Sequence, residues 1–369
     1  MNDAALAGGR LTIDLSALAA NYKYLAAMIS PAEAGVTIKA DGYGLGMANC
    51  AAVFREAGAR SFFVALAGEG VALRAVLPEA NIYVLHGATA ANSAALVAHN
   101  LVPVLGSPEM IAIWRKAGNG APCALHVDTG MNRLGLTLDE AKALAEQDLR
   151  DLNAVLLMTH FACADDPDHP KNALQIDSFN AAKALFPQLK TSIQNSAGAF
   201  LGVRARSDIA RLGIALYGGE AVNDVANPMR PVVTAEAQVM MVRSAKAGET
   251  VSYGATLTLR RDTRIAVCSV GYADGYHRAM SGAGVALRET GKPAGMGFIA
   301  GYRVPILGRV TMDQTMFDVT DVPEVKAGDF IELFGPNIAL DDAARAAGTI
   351  GYELLTSLGQ RYHRVYVGA

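Results

Sequence analysis

The sequence offers nothing that would tie it to a polyanion or a bilayer. Its 32 Lys and Arg stand against 35 Asp and Glu, a formal net charge of −3. No long run of one sign disturbs that balance, so there is no electrostatic footprint for nucleic acid and none for an anionic membrane surface. No stretch approaches the roughly 18 uninterrupted apolar residues of a spanning helix. The N-terminus, MNDAALAGGR, has an acid where an export signal needs positive charge, and its apolar run is too short. A cytoplasmic protein is expected. Cysteine is scarce: Cys50, Cys123, Cys163 and Cys268 are far apart and form neither a metal-ligand spacing nor a redox pair. No metal is expected, and the bland reading is of buried thiols in a reducing compartment.

Apolar residues, by contrast, make up 51% of the 369, and charged ones only 18%. That is enough to bury a large core, as two domains or one big one. From about residue 35 to about 217, short apolar or β-branched runs alternate with amphipathic helical stretches, the pattern of repeated βα units. Eight strands are predicted: VTIKA at 36–40, FFVAL at 62–66, IYVLH at 82–86, LVPVL at 101–105, ALHVD at 124–128, AVLLMTH at 154–160, KTSIQ at 190–194 and DIARL at 208–212. Between them, Ser107 and Pro108 have the chemistry of a helix cap and first turn, and Asp139 and Glu140 that of another first turn. Eight units in so few residues point to a (β/α)8 TIM-type barrel rather than an open sheet.

After Pro228 and Pro231 the texture becomes alternating segments broken by Gly and Pro, which reads as a mostly-β domain with a short helical piece near 350–358. The expected division of this α/β protein is a barrel over 11–228 and a C-terminal domain over 229–369. The strand near 11–15 is free to join the second domain.

In such a barrel the active face lies at the C-terminal strand ends. Lys39 ends the first predicted strand, His126 and Asp128 the fifth with Arg133 just beyond, and His160 the sixth. Asn195 and Ser196 follow the seventh, and Arg211 with Gly213 closes the eighth. A lysine within an apolar strand needs a reason, because a bare buried ammonium is costly. It either pairs with a carboxylate or forms a Schiff base with a carbonyl cofactor; spacing leaves both open. The glycine-rich loop Gly42-Tyr43-Gly44 with Gly46 would let backbone and a tyrosine hydroxyl approach a phosphate.

Taken together, VTIKADGYGLG, HVDTGMNRLG, MTHFACADD, NSAG, RLGIALYG, VSYG, VGYADGYHR, LGRVTMDQ and GYELLTSLGQRYHR, in this order between about residues 11 and 366, resemble the alanine racemases. The resemblance implies a homodimeric, pyridoxal-phosphate-dependent isomerase that interconverts L- and D-alanine, either supplying D-alanine for peptidoglycan precursors or consuming it for growth. It implies that Lys39 holds the cofactor as a Schiff base, and that Lys39 and Tyr253 exchange the α-proton on opposite faces. Tyr43, Ser196, Tyr352 and the backbone of Gly213 and Ile214 then hold the phosphate. Arg211 faces the ring nitrogen, with His160 and Asn195 nearby. The substrate carboxylate meets Arg133 and the backbone of Met312, beside Asp313, and Tyr272 narrows the entrance. Tyr253, Tyr272 and Met312 cross from a partner subunit, which makes two shared sites.

Some residues depart from the pattern. His126 stands where many relatives carry a carbamylated lysine, so Arg133 is expected to be oriented either by a chloride or other anion near His126 and Arg133, or by water and other side chains. Ser192 replaces a histidine near Arg211. Alternatives are a broader serine or amino-acid racemase, a decarboxylase using the same cofactor, and a single-barrel carrier of the cofactor without catalysis. Arg211, Tyr253 and the second domain weigh against the last two. The run GMGFIA at 295–300 superficially matches a nucleotide loop, but no helical pattern follows it.

Overall fold

The chain opens with strand β1 (Gly9–Asp14) and a helix over Leu15–Ile29. Eight strands follow: β2 (Glu33–Thr37), β3 (Ser61–Val64), β4 (Asn81–Val84), β5 (Val102–Leu105), β6 (Cys123–His126), β7 (Ala154–Met158), β8 (Lys190–Ser192) and β9 (Ile209–Leu212). Every neighbouring pair among them is parallel, in the order β8-β7-β6-β5-β4-β3-β2-β9. The ring closes between β9 and the end of β8, where Arg211 N–H donates to the Gln194 carbonyl over 2.8 Å. The computed structural model describes residues 4–282 and 294–368. It divides into a unit over Leu18–Leu216 and Glu220–Met229, and a unit over Met1–Ala17, Tyr217–Gly219 and Arg230–Ala369.

The barrel interior is filled by side chains rather than left as a pore. Phe63, Tyr83, Val104, Ala124, Leu156, Met158 and Ile209 form one buried cluster. Phe63 and Tyr83 stack with ring centroids 4.7 Å apart. Gly35 on β2 makes room for them, since a Cβ there would stand 2.8 Å from the Phe63 ring. Local chemistry sets the helices around this core. Ser107 Oγ accepts from Met110 N–H with Pro108 at the first position, and Thr137 and Glu140 form a reciprocal capping box.

The second unit is built on β10 (Val233–Ala245), β11 (Thr250–Val251), β12 (Leu257–Thr258), β13 (Thr263–Cys268), β14 (Met296–Ile299), β15 (Tyr302–Pro305), β16 (Thr315–Asp318), β17 (Phe330–Phe334) and β18 (Tyr362–Val367). Its large sheet runs β15-β14-β17-β10-β1-β18, with β13 bridging β10 and β16. The 13-residue β10 is the spine. A register break between Val239 and Met241 bends it, so that its first half pairs with β1 and its second with β13. β1 also pairs in parallel with β18. A helix over Leu340–Ala347 precedes the helix Gly351–Thr356. The first, LDDAARAA, escapes sequence reading because its buried face is mostly small alanine.

The GMGFIA run is a hairpin. β14 turns through Ala300 and Gly301, both at positive φ, into the antiparallel β15. Cys50, Cys123 and Cys268 are buried, and all four cysteines are free thiols. Among the described residues no helix is long and apolar enough to cross a membrane, and no cluster of three His, Cys, Asp or Glu is arranged to hold a metal.

Candidate active site

Lys39 sits two residues beyond β2, not at the end of a longer strand. The ladder stops at Thr37; Ile38 N–H still bonds to the Phe63 carbonyl at 2.9 Å, and Gly42 N–H then turns back to Ile38 at 3.0 Å. Ala40, Asp41, Gly42 and Tyr43 all have φ between 52° and 64°, so the chain makes a left-handed turn directly after the lysine. Three of the four carry a Cβ, and each such residue costs roughly 1–2 kcal/mol. Strain of this kind persists only where the surroundings over-determine it, and it gathers at functional sites.

The Lys39 amine is half-buried. Burial and the neighbouring Arg133 guanidinium hold its pKa below the ordinary lysine value, against the opposing pull of Glu69. Its side chain has no hydrogen-bonded carboxylate among the described residues. Glu69 is engaged by the backbone N–H groups of Ala40, Ala65 and Leu66. Asp128 Oδ1 caps Gly130 and Met131 N–H, both at 2.8 Å.

Arg211, on β9, is 4% exposed. Its Nη1 donates to the Ser192 carbonyl at 2.9 Å and to Ser192 Oγ at 2.5 Å, while Nη2 donates to the Thr159 carbonyl at 2.6 Å and meets His160 Nδ1 at 3.2 Å. Burial lowers its pKa to about 9, which still leaves it charged at neutral pH. The Ser192 hydroxyl donates to the Ile209 carbonyl at 2.7 Å, so its lone pairs are the part that faces the guanidinium. Serine thus anchors the arginine as an acceptor.

Two histidines complete the mouth of the barrel. Burial, with Arg211 and Arg133, depresses both; His126 falls to about 4, and His160 lies well below the usual histidine range. Both are neutral near pH 7. Because an arginine only donates, His160 Nδ1 accepts and Nε2 carries the hydrogen.

Behind them lies a polar network invisible in motif reading. Gln175, fully buried on the helix Pro170–Leu185, donates to the His160 carbonyl at 2.9 Å and to Thr129 Oγ1 at 3.1 Å, and accepts from Ala162 N–H at 2.9 Å. A usable signal existed: Asn172, Gln175 and Phe179 share the buried stripe of that helix, and an amide on such a stripe has a partner to satisfy.

Beside Lys39, Tyr43, Ser196 and Gly213 form a cradle. Ser196 Oγ accepts from Gly213 N–H at 2.8 Å and Ala215 N–H at 3.4 Å. A Cβ on Gly213 would collide with the Tyr43 hydroxyl, so a larger residue there would push that hydroxyl aside. Asn195 caps the short helix Ser196–Ala199 through Gly198 N–H at 2.7 Å. Ile214 is buried in the next turn.

The remaining candidates belong to the β unit. Tyr253 is 71% exposed and follows Ser252, whose φ of 67° and ψ of −175° is a region normally left to glycine. Ser252 Oγ donates to the Arg309 carbonyl at 2.9 Å. Tyr272 and Met312 are brought together by Tyr272 N–H to the Thr311 carbonyl and Ala273 N–H to the Met312 carbonyl, both at 3.0 Å. Arg361 clamps the two segments: it donates to buried Asp274 at 2.6 and 2.8 Å and to Asp313 at 2.8 Å. Tyr352 lies in the helix Gly351–Thr356.

The barrel site is therefore rich in cations and donors, with its nearby acids already occupied. That character fits a ligand carrying a phosphate and a carboxylate. The family model of the alanine racemase N-terminal domain matches residues 13–221, and that of the alanine racemase C-terminal domain matches residues 232–366.

The chain belongs to the alanine racemase family.

Among alanine racemases, one from Agrobacterium fabrum described as biosynthetic is 52% identical over 98% of this chain and 94% of its own length. One from Rhizobium meliloti is 51% identical over 98% of this chain and 97% of its own. The crystal structure of the Bartonella henselae alanine racemase, described as holding covalently bound pyridoxal phosphate, superposes with a TM-score of 0.91 at 35% identity, covering 98% of this chain and all of that one. The reaction class is that of an isomerase, and the barrel with a mostly-β second domain is the family's architecture.

Proposed function

We propose that this chain racemises alanine with pyridoxal phosphate bound covalently at Lys39. The observation that carries the proposal is the Lys39 amine: half-buried, lowered in proton affinity, and without a hydrogen-bonded acid among the described residues. Of the two reasons for a lysine here, the ion pair is the weaker: Glu69 pulls the Lys39 pKa upward, but no carboxylate among the described residues is hydrogen-bonded to the amine. The same amine fits a carbonyl, because an unprotonated lysine is the nucleophile. The cradle of Tyr43, Ser196 and the backbone at Gly213 and Ile214 would take the phosphate, and Tyr352 is a further candidate to bind it. Bound there, the cofactor would withdraw electrons from the substrate's α-carbon and so ease loss of its hydrogen.

The protein's own part is positioning and proton transfer. Arg133 and the backbone beside Met312 and Asp313 would orient the substrate carboxylate. Arg211, still charged at neutral pH, would face the cofactor's ring nitrogen as a donor and would leave that nitrogen without a proton. Neutral His160, with Asn195 capping the adjacent turn, holds that edge in place. Lys39 serves one face of the α-carbon and Tyr253 the other. Tyr272 restricts the entrance to a small side chain.

Exposed Met240, Met241 and Tyr253 line one surface cavity on the β unit. Apolar exposure of this extent supports a homodimer in which these residues meet a partner's barrel. The expected setting is the cytoplasm. Neutral His126 beside Arg133 supports an anion such as chloride, held by the guanidinium charge and the imidazole N–H.

The test compares the parent with Lys39→Ala and Tyr253→Phe. Borohydride should fix a cofactor adduct on Lys39 and none on the alanine variant. Tyr253→Phe should lose at least about a hundredfold in rate, the lower range for one acid–base group, with deuterium exchange surviving from one enantiomer only. Equal exchange from both enantiomers at the parental rate would refute the role of Tyr253.

A further inference from the structure

The left-handed turn after Lys39 is tied from outside by the side chain of Glu69. Ala40 N–H donates to Glu69 Oε1 at 2.7 Å, while Glu69 Oε2 accepts from Ala65 N–H at 2.7 Å and Leu66 N–H at 3.0 Å. Glu69 lies in the first turn of the helix Ala67–Val76 that follows β3, and β3 is the parallel neighbour of β2. One carboxylate therefore ties the loop that presents the lysine to the start of the adjacent helix. Inside the turn, Gly44 N–H bonds to Ala40 at 2.8 Å, Gly46 N–H to Asp41 at 2.9 Å, and Met47 N–H to Asp41 Oδ1 at 2.8 Å. Those bonds would survive some reorientation of the turn as a body; the bond to Glu69 would not.

We propose that Glu69 is a positioning residue, whose carboxylate clamps the strained turn so that Lys39 and Tyr43 are presented together at the mouth of the barrel. The proposal rests on the reading of Lys39 and Tyr43 as the cofactor's holders. A carboxylate is required because three N–H donors converge on the one group, and a carboxylate has acceptors on both oxygens. The amide of Glu69→Gln has a single oxygen, which the Ala65 and Leu66 pair would retain. Its NH2 would then face Ala40 N–H, donor against donor. Glutamine thus keeps the helix cap and removes the tie to the turn. The charged groups bearing on the Lys39 amine are Arg133 and Glu69, and His160 in turn feels the lysine.

The experiment uses the full-length protein, treated with hydroxylamine to remove any bound carbonyl compound. Trace acetylation by acetic anhydride, read on the Lys39 peptide by mass spectrometry, reports that amine as a function of pH. Spectrophotometric titration reports pyridoxal phosphate affinity. In Glu69→Gln the acetylation midpoint should move to lower pH, since a carboxylate that favoured the ammonium is gone, and cofactor affinity should fall about tenfold, the factor for one charge-assisted hydrogen bond. The thermal midpoint should stay close to the parent's.

Adding Ala40→Gly, which relieves the positive-φ strain, should restore most of the affinity to Glu69→Gln. Parental affinity and an unmoved acetylation midpoint in Glu69→Gln would overturn the proposal. So would a fall in thermal midpoint with no rescue by Ala40→Gly, because Glu69 would then only cap its own helix. Failure of the underlying reading looks different: Lys39→Ala would still yield a borohydride-stable adduct, whatever the acetylation profile of Glu69→Gln.

Discussion

Arg211 Nη2 lies 3.2 Å from Nδ1 of His160; the arginine is buried and the histidine half-buried. A guanidinium cannot accept, so the pair fixes the imidazole as the Nε2–H tautomer and opposes its protonation. In protein labelled with 15N-histidine, the His160 resonances should keep the pattern of a neutral ring with a bare Nδ1 as the pH is lowered through the free value of about 6.5. Titration of His160 near pH 6.5 would contradict this.

His126 carries the same argument into stability. Its pKa falls to about 4 in the fold, with burial the largest cause, whereas the unfolded value is near 6.5. Above about pH 6.5 both states are neutral and the residue adds no pH dependence. As pH falls from 6.5 toward 4, the unfolded chain binds a proton that the fold refuses, so stability drops by an amount on the order of 3 kcal/mol. Urea unfolding at pH 7 and at pH 4.5 should show less loss in His126→Gln than in the parent.

Gly213→Ala tests the cradle. The new methyl would meet the Tyr43 hydroxyl, and Gly213 N–H is bonded to Ser196 Oγ at 2.8 Å, so neither wall yields without breaking a contact. Overpacking of this kind costs about 1–3 kcal/mol. Pyridoxal phosphate affinity should fall by about tenfold to a hundredfold, and equilibrium dialysis against the parent would measure it. Unchanged affinity would remove Gly213 from the phosphate cradle.

In the β unit, Arg361→Ala leaves Asp274, whose side chain is 5% exposed, without its two arginine bonds. The Gly271 N–H at 2.9 Å remains its donor. Uncovering a buried carboxylate would cost up to about 5 kcal/mol; the half-exposed arginine reduces this, and about 2 kcal/mol is expected. Chemical denaturation should show that loss. KM for alanine should rise as well, because Arg361 clamps the segments carrying Tyr272 and Met312.

Much of this was legible from residue order alone. Alternating apolar and amphipathic runs prescribe eight βα units, because a buried parallel strand and its covering helix each need their own hydrophobic period. Ser107 with Pro108 and Thr137 with Glu140 act within four residues of chain, so their caps appear where local chemistry puts them. Lys39, Arg133, His160 and Arg211 could be read as one face, since strand ends in a barrel converge.

What residue order could not supply was which group answers which. Ser192 is an ordinary serine in sequence, yet it accepts from Arg211, nineteen residues further along. Gln175 reaches Thr129 across 46 residues, and Glu69 reaches Ala40 across 29. The left-handed run from Ala40 to Tyr43 has a glycine at only one of its four positions, so composition does not announce it. Periodicity and capping are interactions between near neighbours, and the chain itself therefore determined the barrel, its caps and the identity of the polar groups at its mouth. Hydrogen-bond pairing, burial and the resulting proton affinities depend on atoms far apart in the chain, and only the tertiary structure decided that Lys39 has no hydrogen-bonded carboxylate among the described residues while Arg211 is anchored by a serine.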